Sequence, residues 1–193
     1  MFERYLSKER DSSMIKCLAP WHSILVRFNG DIVPDGVYRK RYGNVLESPL
    51  NTVLNSITAS HTRESFIQGH LPPECESCAL KEASVGHSRR KFFKDILNPM
   101  LENTNYSYTK TFNDIMFLEF NMSNICNLKC RMCNGISSSA WVKDELKLAK
   151  MNKDFQRPVD NPEFDYPNKG EQIIERLFED PTPFKNLRYL SIK

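Results

Sequence analysis

An apolar run, Ile115-Met-Phe-Leu-Glu-Phe120, gives way abruptly to a polar loop that carries Cys126, Cys130 and Cys133 at C-x3-C-x2-C spacing. The run is of the kind expected for a short strand covered on both faces in a parallel sheet. Buried cysteine is a common small core residue, but three of them on a loop of Asn, Lys and Arg are hard to bury together. Three thiolates on one loop can instead ligate three irons of a cubane iron–sulfur cluster, which leaves the fourth iron without a protein ligand. Closed structural zinc wants four ligands, usually from two C-x2-C knuckles, so the open cluster is the expected use of this trio.

Compartment decides how the remaining cysteines are read. The first residues, Met1 to Arg10, lack the apolar core of a signal peptide, and no stretch approaches the roughly 20 apolar residues of a membrane span. A cytoplasmic protein with no membrane partner is expected. There the thiol pool keeps cysteine pairs reduced, so the six cysteines point to metal or redox duty rather than disulfides. With 40% apolar and 26% charged residues the chain suits a globular fold. The net charge of +3 gives no reason to invoke nucleic acid. Lys81, His87, Arg89, Arg90, Lys91 and Lys94, with Phe92 and Phe93 among them, read as a solvated helix face.

Along the chain, β-rich runs flank Asn29-Gly30, which predicts a hairpin with a tight two-residue turn. Ser48 is expected to cap a helix that opens at Pro49, and a second short helix covers Thr62 to Gln68 with Gly69 at its left-handed end. Leu71 to Cys78 reads as a loop carrying the C-x2-C knuckle of Cys75 and Cys78. A polar segment follows, helical at first and then loop-like, with a boundary near Asn103 to Thr111. Past the cysteine loop, Ser137 to Ser139 cap a helix with Val142, Leu146 and Ala149 on one face. A polar stretch from Met151 to Lys169 precedes a helix near Glu171 to Phe178 and a strand at Leu187 to Ile192. Strand, helix, strand is a βαβ unit.

A strand, a C-x3-C-x2-C loop and a following helix together resemble the start of a radical S-adenosylmethionine (radical SAM) enzyme. The resemblance implies that Cys126, Cys130 and Cys133 bind a [4Fe–4S] cluster whose unique iron chelates SAM. It places Met132 where relatives often carry an aromatic residue against the adenine. Electron transfer to the sulfonium would then release a 5′-deoxyadenosyl radical that abstracts a hydrogen atom from substrate. A reducing partner such as flavodoxin or ferredoxin is implied as well.

The N-terminal half resembles the auxiliary-cluster modules called SPASM or twitch domains, although those usually lie after the barrel. Their opening signature is a cysteine, a hairpin glycine and a further cysteine, and those places hold Cys17, Gly30 and Asp35. The later C-x2-C is matched by Cys75 and Cys78. A second [4Fe–4S] cluster on Cys17, Cys75, Cys78 and Asp35 is implied, with a carboxylate standing in for one thiolate. If Asp35 does not bind, the three thiolates hold an open or labile cluster, or zinc with His22 or His70 as fourth ligand.

The expected fold is thus α/β: residues 1–110 form a small α+β auxiliary domain, and residues 111–193 the N-terminal portion of a partial βα TIM-like barrel. The residues after Cys133 are too few to complete such a barrel, and no Gly-Gly-Glu-like segment, which in relatives binds the amino group of SAM, is present. The chain is therefore expected to be a fragment, a truncated frame or half of a split protein, inactive alone. Glu119, Asn121 and Asn124 sit where a barrel would place pocket residues, at the C-terminal end of its first strand. Glu119 is equally compatible with a structural pairing. His61, His87 and Trp141 read as packing or surface residues. Accessory modules of this kind often accompany peptide or protein substrates. Two further readings stay open: a non-catalytic protein in which Cys75, Cys78, Cys130 and Cys133 jointly grip zinc, and an electron-transfer protein with fully ligated clusters.

Overall fold

The computed structural model describes residues 17–102, 107–112, 114–121, 123–135, 137–155 and 169–192. The readings made of Met1 to Arg10, of most of the polar stretch after Met151 and of part of the boundary at 103–111 lie outside the described residues. Five strands, β1 (Ser23–Val26), β2 (Asp31–Val33), β3 (Gly43–Asn44), β4 (Phe117–Phe120) and β5 (Tyr189–Ile192), form one open mixed sheet in the order β3-β2-β1-β4-β5. The pairs β1–β2 and β2–β3 are antiparallel, whereas β1–β4 and β4–β5 are parallel. β1 lies against β4 from Ser23↔Phe117 to Val26↔Phe120, so segments on either side of the expected boundary supply adjoining strands of one sheet.

The apolar run expected as a doubly covered strand is β4, buried along its whole length. Its alternation sends Leu118 and Phe120 to one face and Phe117 to the other, and each face meets its own hydrophobic cluster. The first cluster gathers Ile24, Val26, Ile32, Tyr42, Leu54, Leu118 and Phe120, closed by Ile173 and Leu177. These last two come from the helix Lys169–Phe178, which appears where the apolar spacing predicted a helix. The second cluster holds Cys17, Trp21, Phe66, Phe93, Leu97 and Phe117.

The hairpin at Asn29-Gly30 forms, but with a longer turn than the expected two-residue one. The Gly30 amide donates to the Arg27 carbonyl at 2.8 Å and the Arg27 amide to the Asp31 carbonyl at 2.9 Å. Only Gly30 takes a positive φ, 87°, whereas the tight turn would need one at Asn29 too. Asn29 serves through its side chain, whose Oδ1 accepts from the Asp31 amide at 3.1 Å.

Helices carry the remaining elements: α1 (Ala19–His22), α2 (Leu50–Leu54), α3 (Ile57–Ile67), α4 (Glu76–Val85), α5 (Arg89–Leu101), α6 (Ser139–Met151) and α7 (Lys169–Phe178). Pro49, not Ser48, occupies the N-cap of α2. α3 starts earlier than expected because Ser56 caps it through the Ala59 amide, and Gly69, at φ 77°, follows its end as expected. The C-x2-C knuckle is not a free loop: Pro73–Cys75 makes a 3-10 turn and Cys78 sits in the first turn of α4. On the face of α6 expected to be apolar, Val142 and Ala149 are half-buried and Leu146 is exposed, and Glu145 is the buried residue of the helix. Among the described residues no helix is long and apolar enough to cross a membrane.

Candidate iron–sulfur sites

The two cysteine groups are built differently. Cys17 immediately precedes α1, Asp35 follows β2, and Cys75 and Cys78 flank the start of α4. The fold brings these four together: the Cys75 thiol feels charge on Cys17, Cys78 and Asp35, and the Cys17 thiol feels charge on Asp35 and Cys78. Cys17 and Cys78 are buried and Cys75 is half-buried. Burial pushes the Cys17 thiol up to about 12 and raises the thiols of Cys75 and Cys78 as well.

Against that desolvation the chain offers donors suited to anionic sulfur. The Ala19 amide donates to the Cys17 sulfur, and the Arg90 and Arg89 amides, opening α5, donate to the Cys78 sulfur. The Arg90 guanidinium, paired with Glu82, further favours charge on both sulfurs. Three soft donors with such surroundings fit an iron–sulfur group.

Asp35 is partly committed. Its Oδ1 accepts from the Val37 amide at 2.5 Å and the Tyr38 amide at 3.2 Å, which closes the turn after β2. The other oxygen faces the Arg89 Nε at 3.7 Å, and burial, chiefly, holds the carboxyl above its ordinary range. Both oxygens thus already have protein partners, one in the turn and the other at Arg89.

The second group lies on the loop that leaves the C-terminal end of β4. Cys130 is exposed, Cys126 and Cys133 are half-buried, and Met132 is 98% exposed. The loop is nevertheless well held. Ser139 Oγ accepts from the Cys126 amide at 3.2 Å, Ser138 Oγ donates to the Leu128 carbonyl at 2.6 Å, and Trp141 Nε1 donates to the Cys130 carbonyl at 3.1 Å. Glu145, buried in α6, accepts from the Gly135 amide at 2.7 Å. The Leu128 amide donates to Cys126 Sγ at 3.4 Å, and the Cys133 amide to the Cys130 carbonyl at 3.0 Å. The serines expected as helix caps thus fasten the cysteine loop to α6. Trp141, read as a packing or surface residue, braces it.

Among the described residues no three His, Cys, Asp or Glu side chains converge as a single metal ion would require. A tetrahedral zinc with bonds of about 2.3 Å would hold its thiolates about 3.8 Å apart. A cubane spreads its thiolates over separate irons and asks for no such convergence. The knuckle of Cys75 and Cys78 lies within electrostatic reach of Asp35, and Cys75 of Cys17 as well. His22 Nδ1 is bonded to the Asp114 carbonyl at 3.1 Å, and His70 is exposed.

Between the two groups runs a polar link that the sequence did not disclose. Glu119, inside β4 and buried, meets Arg89 Nη2 at 3.2 Å, so the structural pairing holds for this carboxylate. Arg89 also stacks on Phe92 and Phe93, 4.7 and 4.9 Å from the ring centroids. The supposed solvated face of α5 therefore turns Arg89, Arg90 and Phe93 inward and leaves Lys91 and Lys94 outside. Ser88 caps the start of α5 through the Lys91 amide, which sets where the helix begins but not which side meets the sheet. Asn124 is buried and donates to the Gly135 carbonyl at 3.0 Å, whereas Asn121 keeps a buried, unpartnered Oδ1 just beyond the end of β4.

Residues 17–79 match the family described as an iron–sulfur cluster-binding domain, SPASM. The matched segment begins at Cys17 and contains Asp35, Cys75 and Cys78, and the likeness implies iron–sulfur binding by this segment. No curated protein and no solved structure matches the chain.

Proposed function

We propose that the chain is part of a radical SAM enzyme, in which Cys126, Cys130 and Cys133 hold a [4Fe–4S] cluster with one iron open to SAM. The observation that carries this reading is the loop itself: one exposed and two half-buried cysteines, fastened by backbone and serine bonds, at the C-terminal end of a strand with parallel neighbours on both sides. That is where a βα barrel assembles its chemistry. When bound, the cluster supplies one electron to the SAM sulfonium, whose cleavage yields a 5′-deoxyadenosyl radical.

The chain's own part is placement. Trp141 and Glu145 keep the loop in one shape, and Asn121 Oδ1 offers an acceptor to a donor group of the bound small molecule. A second iron–sulfur group in this reading sits on Cys17, Cys75 and Cys78, with Asp35 as the fourth donor, for electron relay or substrate contact; the match of residues 17–79 to SPASM domains supports it. Beside it lies a groove of about 700 Å³, lined in part by Gly36, Val37, Pro73, Glu76, Ser77 and Leu80, and a peptide is the substrate class we assign to it. A flavodoxin or ferredoxin in the cytoplasm is the electron donor in this reading.

Anaerobic reconstitution with iron and sulfide, followed by metal counting and electron paramagnetic resonance with and without SAM, tests it. A reduced signal that changes with SAM, is lost in Cys130→Ala and survives in Cys75→Ala is the expected result. Recovery of zinc alone, or iron–sulfur signals indifferent to SAM, rejects it.

A further inference from the structure

Tyr42 is buried in the first hydrophobic cluster, yet its hydroxyl has no hydrogen-bond partner. Such a group is costly, since its water bonds are lost and nothing replaces them. The neighbouring phenol shows the usual solution: Tyr38, whose ring meets Tyr42 edge-on at 5.8 Å, pairs its hydroxyl with Thr62 Oγ1 at 2.7 Å. The location of the unpaired hydroxyl supplies the reason. Cys75 packs against the cluster to which Tyr42 belongs, so the phenol shares its surroundings with the first cysteine group. The Tyr42 amide donates to the Ile32 carbonyl at 2.8 Å, which anchors the ring beside the sheet.

We propose that the Tyr42 hydroxyl donates a hydrogen bond to a sulfur of the iron–sulfur group held by Cys17, Cys75 and Cys78, and so sets its reduction potential. The inference rests on the reading that the SPASM segment binds such a group. Burial raises the phenol well above its ordinary range, so it stays a donor at neutral pH and is no phenolate ligand. A hydrogen bond to cluster sulfur favours the electron-richer state, hence a higher potential. Tyr42 is a positioning residue, since no substrate atom is involved.

The test uses the full chain with Cys126, Cys130 and Cys133 changed to Ala, so that only the first group is loaded. Tyr42→Phe in that background should retain the same iron and sulfide, show a more negative midpoint potential, and shift the iron–sulfur stretching bands in resonance Raman spectra. Equal iron with unchanged potential and bands overturns the proposal while the cluster reading stands. If the parent binds no iron, the cluster reading falls and the proposal with it. A phenolate-to-iron absorption band lost in Tyr42→Phe would show ligation and overturn hydrogen bonding. In the metal-free protein, deleting an unpaired hydroxyl should raise the urea midpoint. A lower midpoint would reveal a protein partner for Tyr42 and also overturn it.

Discussion

In the first group Cys17 and Cys78 are buried and Cys75 is half-buried, whereas in the second Cys130 is exposed and Cys126 and Cys133 are half-buried. Identical donor atoms thus differ in solvation, most sharply between Cys17 and Cys130. In the first group burial opposes thiolate formation, and helix amides and Arg90 offset it. A metal group there must displace protons and is shut off from bulk solvent, which suits electron storage. The second group has its shape fixed by the backbone while its sulfurs stay accessible, which suits a site that must also admit a small molecule.

Thiol labelling is the hardest blow that contrast can take. In the metal-free protein at mildly alkaline pH, iodoacetamide should modify Cys130 at least about a hundred times faster than Cys17, whose thiol is pushed to about 12, because the thiolate is the attacking form. Similar rates, read by mass spectrometry, would mean that the first group is not enclosed. Next in size is Arg63, fully buried, which donates to the Lys110, Pro20 and Leu54 carbonyls at 2.7, 3.1 and 2.6 Å. Arg63→Ala strands these acceptors and should lower stability by about 3–5 kcal/mol in urea titrations.

On the other side, Glu145→Ala removes the acceptor for the Gly135 amide and should cost about 1–2 kcal/mol. Faster hydrogen exchange confined to the cysteine loop would accompany it. Glu145→Gln, which keeps an oxygen there, should recover most of the loss. Smallest is a pH effect at His22, where burial, above all, depresses the imidazole below its ordinary value. The unfolded chain then binds the proton more readily. Stability is fully present above the unfolded value near 6.5 and is lost as pH falls through the folded one, by at most about 1.4 kcal/mol per pH unit. Asn at position 22 should flatten that slope in urea midpoints measured against pH.

Local chemistry was legible in the sequence, and long-range pairing was not. The β4 run, Gly69 and the helix around Ile173 and Leu177 are readable because each depends on neighbours a few residues away. So was the SPASM likeness of the segment that begins at Cys17, through the spacing of its cysteines and hairpin glycine. The pairing of β1 with β4 has no local signature. Nor does the inward turn of Arg89 toward Asp35 and Glu119, because a basic, amphipathic helix reads the same whichever side meets the sheet. The exposure of Leu146, on the stripe shared with Val142 and Ala149, shows the converse, since periodicity marks an apolar stripe and cannot say what lies against it.

The lateral union of Ser23–Val26 with Phe117–Phe120 imposes a timetable on biosynthesis. The later strand emerges roughly ninety residues after the earlier one, so at ribosomal speeds of about 5–20 residues per second the first waits on the order of 5–20 s for its mate. Phe117, which packs in the same cluster as Cys17, arrives with that mate. Nascent chains stalled short of residue 115 should therefore present Cys17 to alkylating reagents, an interval in which iron delivery can precede closure of the wall.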